Sequence, residues 1–171
     1  LTLYGPAKLP AWASKLPLRE RVQACGKGPF DWPALSFGAD TLDGTLNAQG
    51  LERTSEDPNA AGVVFSTPER AILELCDETP DSALVHEVNA LMQGLSTLRP
   101  QLVSALLQHC DSIKAKRLFL ALADRNRHAW LAHVSLHAVD LGSGKRVLVP
   151  GGKLNAKYQI TLPADLDEQL G

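Results

Sequence analysis

The stretch IKAKRLFLALADRNRHAWLAHV, residues 113–134, decides the predicted fold, because no other stretch is both so apolar and so basic. Its apolar residues recur at intervals of three and four, which is typical of a helix with one buried face. They are Leu118, Phe119, Leu122, Ala123, Trp130, Leu131 and Val134. The pattern predicts a single helix of about six turns that fills the centre of the core.

The opposite face of this predicted helix is basic. It has Lys114, Lys116, Arg117, Arg125, Arg127 and His128, with Asp124 as the only acid. Such a face is commonly an ordinary solvated helix surface, but it is also the kind of face that an anionic partner binds. The sequence leaves both interpretations open.

The net charge of −2 over 171 residues conceals an uneven distribution. Residues 114–158 contain nine Lys and Arg against two Asp, a balance of +7, and the rest of the chain has eight Lys and Arg against seventeen acids, a balance of −9. The basic block predicts an anionic partner, such as nucleic acid, or an attraction between the two parts of the chain. The candidate binding surface consists of Lys114, Lys116, Arg117, Arg125, Lys145, Arg146 and Lys153.

Composition limits the class of protein. The chain is 44% hydrophobic and 21% charged, which is ordinary for one globular domain of this length. It has no apolar run of about 18 residues and no visible signal peptide. Cys76 and Cys110 fall at apolar positions of predicted helices, which indicates buried, reduced thiols and a cytoplasmic protein.

The order of predicted elements favours an α+β fold over alternating strands and helices. Short strands are predicted at residues 1–5, 21–25, 34–37 and 62–66, with a long loop at 38–61 that has at most one short strand. About four helices follow, at residues 68–77, 84–95, 98–110 and 113–134. A C-terminal β-hairpin is predicted from strands at residues 145–149 and 158–162. We expect residues 1–171 to form one domain.

The sequence has no recognisable catalytic or metal-binding constellation. The glycine turns at residues 142–144 and 151–152 resemble phosphate-binding loops, but both lead into predicted strands and not into a helix. His133 and His137 lack a third ligand at a suitable spacing. We therefore predict no catalytic residue, no metal and no cofactor. The basic residues beside the two turns, which would form a small anion site there, are Lys145, Arg146 and Lys153.

Much of the chain resembles a known family. Residues 66–75, STPERAILEL, resemble the SPERAILEL signature of the AbiEi-type antitoxins of type IV toxin–antitoxin systems. Further segments that resemble this family, in the same order, are residues 3–6, 9–12, 85–95, 112–120, 128–131, 140–146, 151–154 and 158–161. Residues 25–63 match loosely.

The resemblance implies a two-part, non-enzymatic protein. A winged helix-turn-helix would bind the promoter of its own operon, and a C-terminal domain would counteract a nucleotidyltransferase toxin without forming a stable complex with it. Because no helix-turn-helix is recognisable ahead of Leu1, we expect this chain to be the C-terminal domain alone, with promoter DNA bound through the missing domain. The alternatives are an auxiliary DNA-binding domain of a transcriptional regulator and, as the weakest candidate, a cryptic nuclease.

Overall fold

The computed structural model describes residues 2–4, 11, 15, 17, 23–32, 43–54, 63–79 and 82–166. The strand predicted at residues 34–37 lies outside this part of the chain. The described elements are strands β1 (Thr2–Tyr4) and β2 (Gln23–Cys25), helix α1 (Asp43–Ala48), strands β3 (Leu51–Arg53) and β4 (Val64–Ser66), helices α2 (Pro68–Glu78), α3 (Ser82–Gly94), α4 (Pro100–Gln108) and α5 (Ile113–Arg125), a 3₁₀ helix (Ala129–His133), and strands β5 (Lys153–Asn155) and β6 (Ile160–Leu162). Short strands, central helices and a C-terminal hairpin confirm the predicted α+β class.

Helix α5 lies at the centre of the core. It begins after Ser112, whose hydroxyl accepts a hydrogen bond from the amide of Ala115 at 3.2 Å. All nine residues from 115 to 123 are buried, so the helix is covered on every side over more than two turns. Helices α2 and α3 and strand β6 pack against it. The prediction that this helix keeps one face in solvent is therefore wrong along these two turns.

The predicted six-turn helix is also interrupted. Helix α5 ends at Arg125, and Arg127 has a φ of 53°, which lies outside the α-helical region. Beyond it, His128 Nε2 donates to the carbonyl of Met92 at 2.7 Å, and Trp130 Nε1 donates to the carbonyl of Leu95 at 2.8 Å. These side chains connect the segment after α5 to the C-terminal end of α3 and to Leu95, which directly follows it, and these contacts favour a turn over a continued α5. Trp130 is buried, as predicted.

The C-terminal hairpin uses different strands from those predicted. Strand β5 pairs antiparallel with β6, so that Lys153 lies opposite Leu162. The predicted strand at residues 145–149 is wrong, because this segment makes only one bridge, between Arg146 and Ile160. The amides of its later residues donate instead to the hydroxyl of Thr161. The hydroxyl of Thr161 thus accepts the hydrogen bonds that the backbone carbonyls of a paired strand would otherwise accept along residues 148–149.

A short helix lies where a loop was predicted. Residues 43–48 form α1, which leads into β3, and β3 pairs antiparallel with β4. The predicted loop at residues 38–61 is therefore wrong in part, although it allowed for one strand. Leu46 and Leu51 are both buried, so tertiary burial holds a helix that six residues could not form alone.

The first two strands are attached to the end of α2. Strands β1 and β2 run parallel. The carboxylate of Glu78 accepts hydrogen bonds from Tyr4 at 2.7 Å, Gln23 at 2.9 Å and Thr2 at 3.2 Å. One side chain of α2 therefore binds both strands. None of the helices in the described ranges has the length and hydrophobicity that a bilayer crossing requires.

Candidate functional site

Two of the predicted surface residues are interior residues. Lys116 and Arg117 each have a relative exposure of 3%. Arg117 donates through Nε to the carbonyl of Leu141 at 2.6 Å, and through Nη1 to the carbonyls of Gly144 at 2.6 Å and Gln159 at 3.0 Å. The expectation that these two residues lie on an exposed binding surface is wrong. The guanidinium of Arg117 instead connects α5 by hydrogen bonds to the loop at residues 141–144 and to the C-terminal hairpin, which both cover it.

Lys114 also has an internal role. Its half-buried ammonium donates to the carbonyls of Asp77 and Thr79, the latter at 3.1 Å. These carbonyls are at the C-terminal end of α2, where a helix has unpaired acceptors and partial negative charge. Lys114 therefore stabilises the packing of α5 against α2. It does not belong to a freely exposed cationic surface.

The other predicted basic residues lie around the C-terminal hairpin. Lys145, Arg146 and Lys153 are exposed, whereas Arg125 is half-buried and donates through Nη2 to the carbonyl of Leu166. Arg146 bridges to Ile160 of β6, and the β5 strand with Lys153 lies on the other side of β6. Arg146 and Lys153 therefore lie on the two segments that flank β6, one on each side of it. We refer to this group as the hairpin cations: Lys145, Arg146 and Lys153.

Lys157 was not singled out from the sequence, although it lies within the basic block. Its ammonium donates to Asp124 at 2.7 Å, and this hydrogen bond is the main cause that raises the pKa of Lys157. Lys157, Arg125 and Lys153 line one cleft of about 320 Å³ between the end of α5 and the hairpin. The signal that could have found Lys157 was its position in the turn between two strands, four residues after Lys153.

The motif at residues 66–75 has a structural role at several of its polar positions. Glu74 accepts hydrogen bonds from Ser66 at 2.8 Å and from Arg70 Nε at 2.8 Å. Arg70 also donates to the carbonyl of Gln49 at 2.9 Å, and its guanidinium lies 4.5 Å from the centre of the Phe30 ring. These contacts connect α2 to the preceding strand, to the turn after α1 and to the segment at Phe30.

Glu69 is the most deeply buried acid of this motif, with 3% relative exposure. Burial alone raises its pKa, but three hydrogen bonds from Arg99 outweigh that effect and lower the pKa to about 2. The backbone amide of Arg99 donates at 3.0 Å, Nε at 2.9 Å and Nη2 at 3.0 Å. The pair joins the start of α2 to the residue before α4. The contacts of Glu69 therefore give it a structural role in holding α2 against α4.

The cysteines confirm the predicted buried, reduced thiols. Cys76 and Cys110 are free and buried. Burial raises the pKa of both thiols, to about 11 for Cys110, so both stay protonated at neutral pH and are poor nucleophiles. Within the described ranges, no group of three or more His, Cys, Asp or Glu is arranged to hold a metal ion.

These observations define an α+β fold whose core contains buried charges with hydrogen-bond partners and whose C-terminal hairpin presents exposed cations. A family model described as "Transcriptional regulator, AbiEi antitoxin, Type IV TA system" matches residues 1–163. The chain therefore belongs to the AbiEi antitoxin family, whose members are non-enzymatic regulators, and the resemblance seen in the sequence is confirmed. Membership implies a cognate toxin. No curated protein and no solved structure matches the chain.

Proposed function

We propose that this chain is the single-domain antitoxin part of a cytoplasmic type IV system and counteracts a nucleotidyltransferase toxin encoded beside it. The observation that carries this proposal is the family match over residues 1–163, which includes the hairpin. The toxin class follows from the resemblance of the ordered motifs to AbiEi-type antitoxins. The same protein would regulate its own operon, with promoter DNA bound by a winged helix-turn-helix.

The hairpin cations are the surface that we propose for this activity, with Arg125 beside them. Lys145, Arg146 and Lys153 are exposed, whereas Lys114, Lys116 and Arg117 lie wholly or partly inside the fold. A group of exposed cations is the kind of surface that an anionic partner binds. The partner would be an acidic surface of the toxin or the nucleic acid on which the toxin acts.

Neutralising the hairpin cations tests this proposal. We expect the triple variant Lys145→Gln, Arg146→Gln, Lys153→Gln to lower rescue of growth from the co-expressed toxin. The loss should be about tenfold in surviving colonies, because exposed ionic contacts contribute up to about 1 kcal/mol each. The measurement is colony counts on inducing plates, with the antitoxin level followed by immunoblot.

A matched control separates this surface from net charge. Gln93→Glu, Gln101→Glu and Gln108→Glu change the charge by the same three units, and all three glutamines are exposed on α3 and α4. We expect rescue by this control to be unchanged. Full rescue by the folded hairpin variant would exclude the hairpin cations from antitoxin activity but leave the family assignment intact.

A second candidate function is auxiliary binding of DNA, which the family's description as a transcriptional regulator favours. If the hairpin cations contact phosphates, their neutralisation should lower the slope of log affinity against log salt concentration by about 2 to 3. The measurement is fluorescence anisotropy with a labelled promoter duplex at several salt concentrations. An unchanged slope in the triple variant, beside an intact slope in the glutamine control, would contradict this second function.

A further inference from the structure

Two large aliphatic side chains are exposed on the C-terminal hairpin. Val147 has a relative exposure of 60% and Leu154 of 39%, and each directly follows one of the hairpin cations, Arg146 and Lys153. Exposed aliphatic groups are unfavourable in water, and a partner that covers them removes this cost. We propose that Val147 and Leu154 dock onto an apolar patch, surrounded by acidic residues, on the surface of the cognate toxin.

Val147 and Leu154 lie on either side of Thr161 in β6. Leu154 is directly opposite Thr161 in the antiparallel register, so their side chains project from the same face of the sheet. On the other side of β6, Arg146 pairs with Ile160, and its carbonyl accepts a hydrogen bond from the amide of Thr161 at 3.0 Å. This pairing places Val147 beside Thr161, two strand spacings or about 10 Å from Leu154. The two aliphatic residues therefore belong to one surface of the hairpin.

The cleft beside Leu154 adds an apolar recess to this surface. Two of the cations in the cleft have partners within the chain, since Lys157 pairs with Asp124 and Arg125 donates to the carbonyl of Leu166. The apolar residues that line the cleft are Leu154, Ala156, Leu162, Pro163 and Leu166. Binding energy at protein interfaces is concentrated where a side chain of one protein fills a pocket of the other. A cleft of about 320 Å³ has room for one such side chain of the toxin.

The hairpin cations indicate the charge of the partner. Lys145 and Arg146 directly precede Val147, and Lys153 directly precedes Leu154. An interface between proteins commonly has an apolar centre and a polar rim, and complementary charges at the rim steer the two proteins together. The matching surface of the toxin is therefore apolar at its centre and rich in Asp or Glu around it.

A protein fits this surface better than a nucleic acid does. Proteins that bind single strands stack the bases on aromatic side chains, whereas the exposed apolar groups here are aliphatic. Tyr158, the aromatic residue between β5 and β6, has a relative exposure of 4%. Many contacts to duplex DNA go to phosphates, which cations bind but aliphatic side chains do not. Val147 and Leu154 would stay uncovered in such a complex.

This inference rests on the proposed antitoxin function, but NMR measures the contact separately from rescue. The ¹⁵N-labelled 171-residue chain is titrated with the purified toxin encoded beside it, with promoter duplex and with single-stranded RNA. NMR suits this test because it detects transient contacts, and the family resemblance implies no stable complex. We expect saturable shifts or broadening of the amides at residues 145–149 and 153–155 with the toxin. A stronger response of these amides to either nucleic acid, or no response to the toxin, would overturn the proposal.

Matched serine variants test the two aliphatic residues. Val147→Ser combined with Leu154→Ser should weaken toxin binding about tenfold or more, because the contact buries less apolar surface. Val63→Ser combined with Leu91→Ser removes the same two side chains from positions outside the hairpin, with exposures of 67% and 51%. Toxin binding by this control should stay within about twofold. Equal weakening by both double variants would show unspecific adhesion and contradict the inference.

Rescue of growth distinguishes failure of this inference from failure of the proposed function. A chain that binds the toxin at the hairpin but does not rescue would contradict the proposed function and support the contact. Rescue and toxin binding that are both unchanged in the folded hairpin variant would overturn the contact and leave the proposed function intact. Analytical ultracentrifugation of the chain alone tests a second copy as the occupant. A dimer that dissociates in the hairpin variant would overturn the assignment to the toxin.

Discussion

Arg117→Met is expected to lower the free energy of unfolding by about 4 kcal/mol, because a buried charge with several hydrogen bonds is removed. Arg117 is 3% exposed, and its guanidinium donates to the carbonyls of Leu141, Gly144 and Gln159. Methionine fills much of the same volume but leaves these carbonyls without their donor. Urea denaturation followed by circular dichroism measures the change.

Two further variants make the result specific. Arg146→Met removes the same group from an exposed position, so the free energy of unfolding should change by no more than about 0.5 kcal/mol. Arg117→Lys keeps the charge but not the planar fork, and its stability should fall between those of the methionine variant and the original chain. Equal stability of Arg117→Met and Arg146→Met would contradict the interior role of Arg117.

Glu69→Gln is expected to destabilise the fold by about 3 kcal/mol at neutral pH, because the ion pair with Arg99 is lost at a buried site. Glu69 is buried and accepts three hydrogen bonds from Arg99, including one from its backbone amide. Glutamine has nearly the same shape but no charge, and its NH₂ group, which is a donor, would face the N–H donors of Arg99. Glu87→Gln, at an exposed position of α3, is the control and should change stability very little.

The same pair predicts how stability depends on pH. The pKa of Glu69 is lowered from 4.5 to about 2 in the folded protein, so its stabilisation is complete above pH 4.5 and is lost as the pH falls towards 2. The stability difference between the original chain and Glu69→Gln should therefore shrink to about half by pH 3. Urea denaturation at pH 7, 4 and 3 measures this difference. A difference that does not change with pH would show that Glu69 is not held ionised by Arg99.

The sequence alone determined the central helices and the kinship of the chain. Pro68 and Pro100 each occupy the first turn of a helix, as their fixed φ angle favours, and α2 and α4 begin there. The apolar spacing also correctly indicated that Cys76 and Cys110 are buried. The motif at residues 66–75 indicated the family. These signals are local, because each depends on residues within a turn or two of one another.

Only the tertiary structure decided what the basic residues do. Charge and helical period correctly predict a helix at Ile113–Arg125, but they cannot show whether another element covers its polar side. Arg117 is buried because its partners are carbonyls 24, 27 and 42 residues further along the chain, and neither spacing nor composition reveals such contacts. The end of α5 likewise depends on His128, which donates to the carbonyl of Met92 in α3, and on Trp130, which donates to that of Leu95 just after α3. A buried charge is tolerated when folding brings acceptors to it, and those acceptors belong to distant segments.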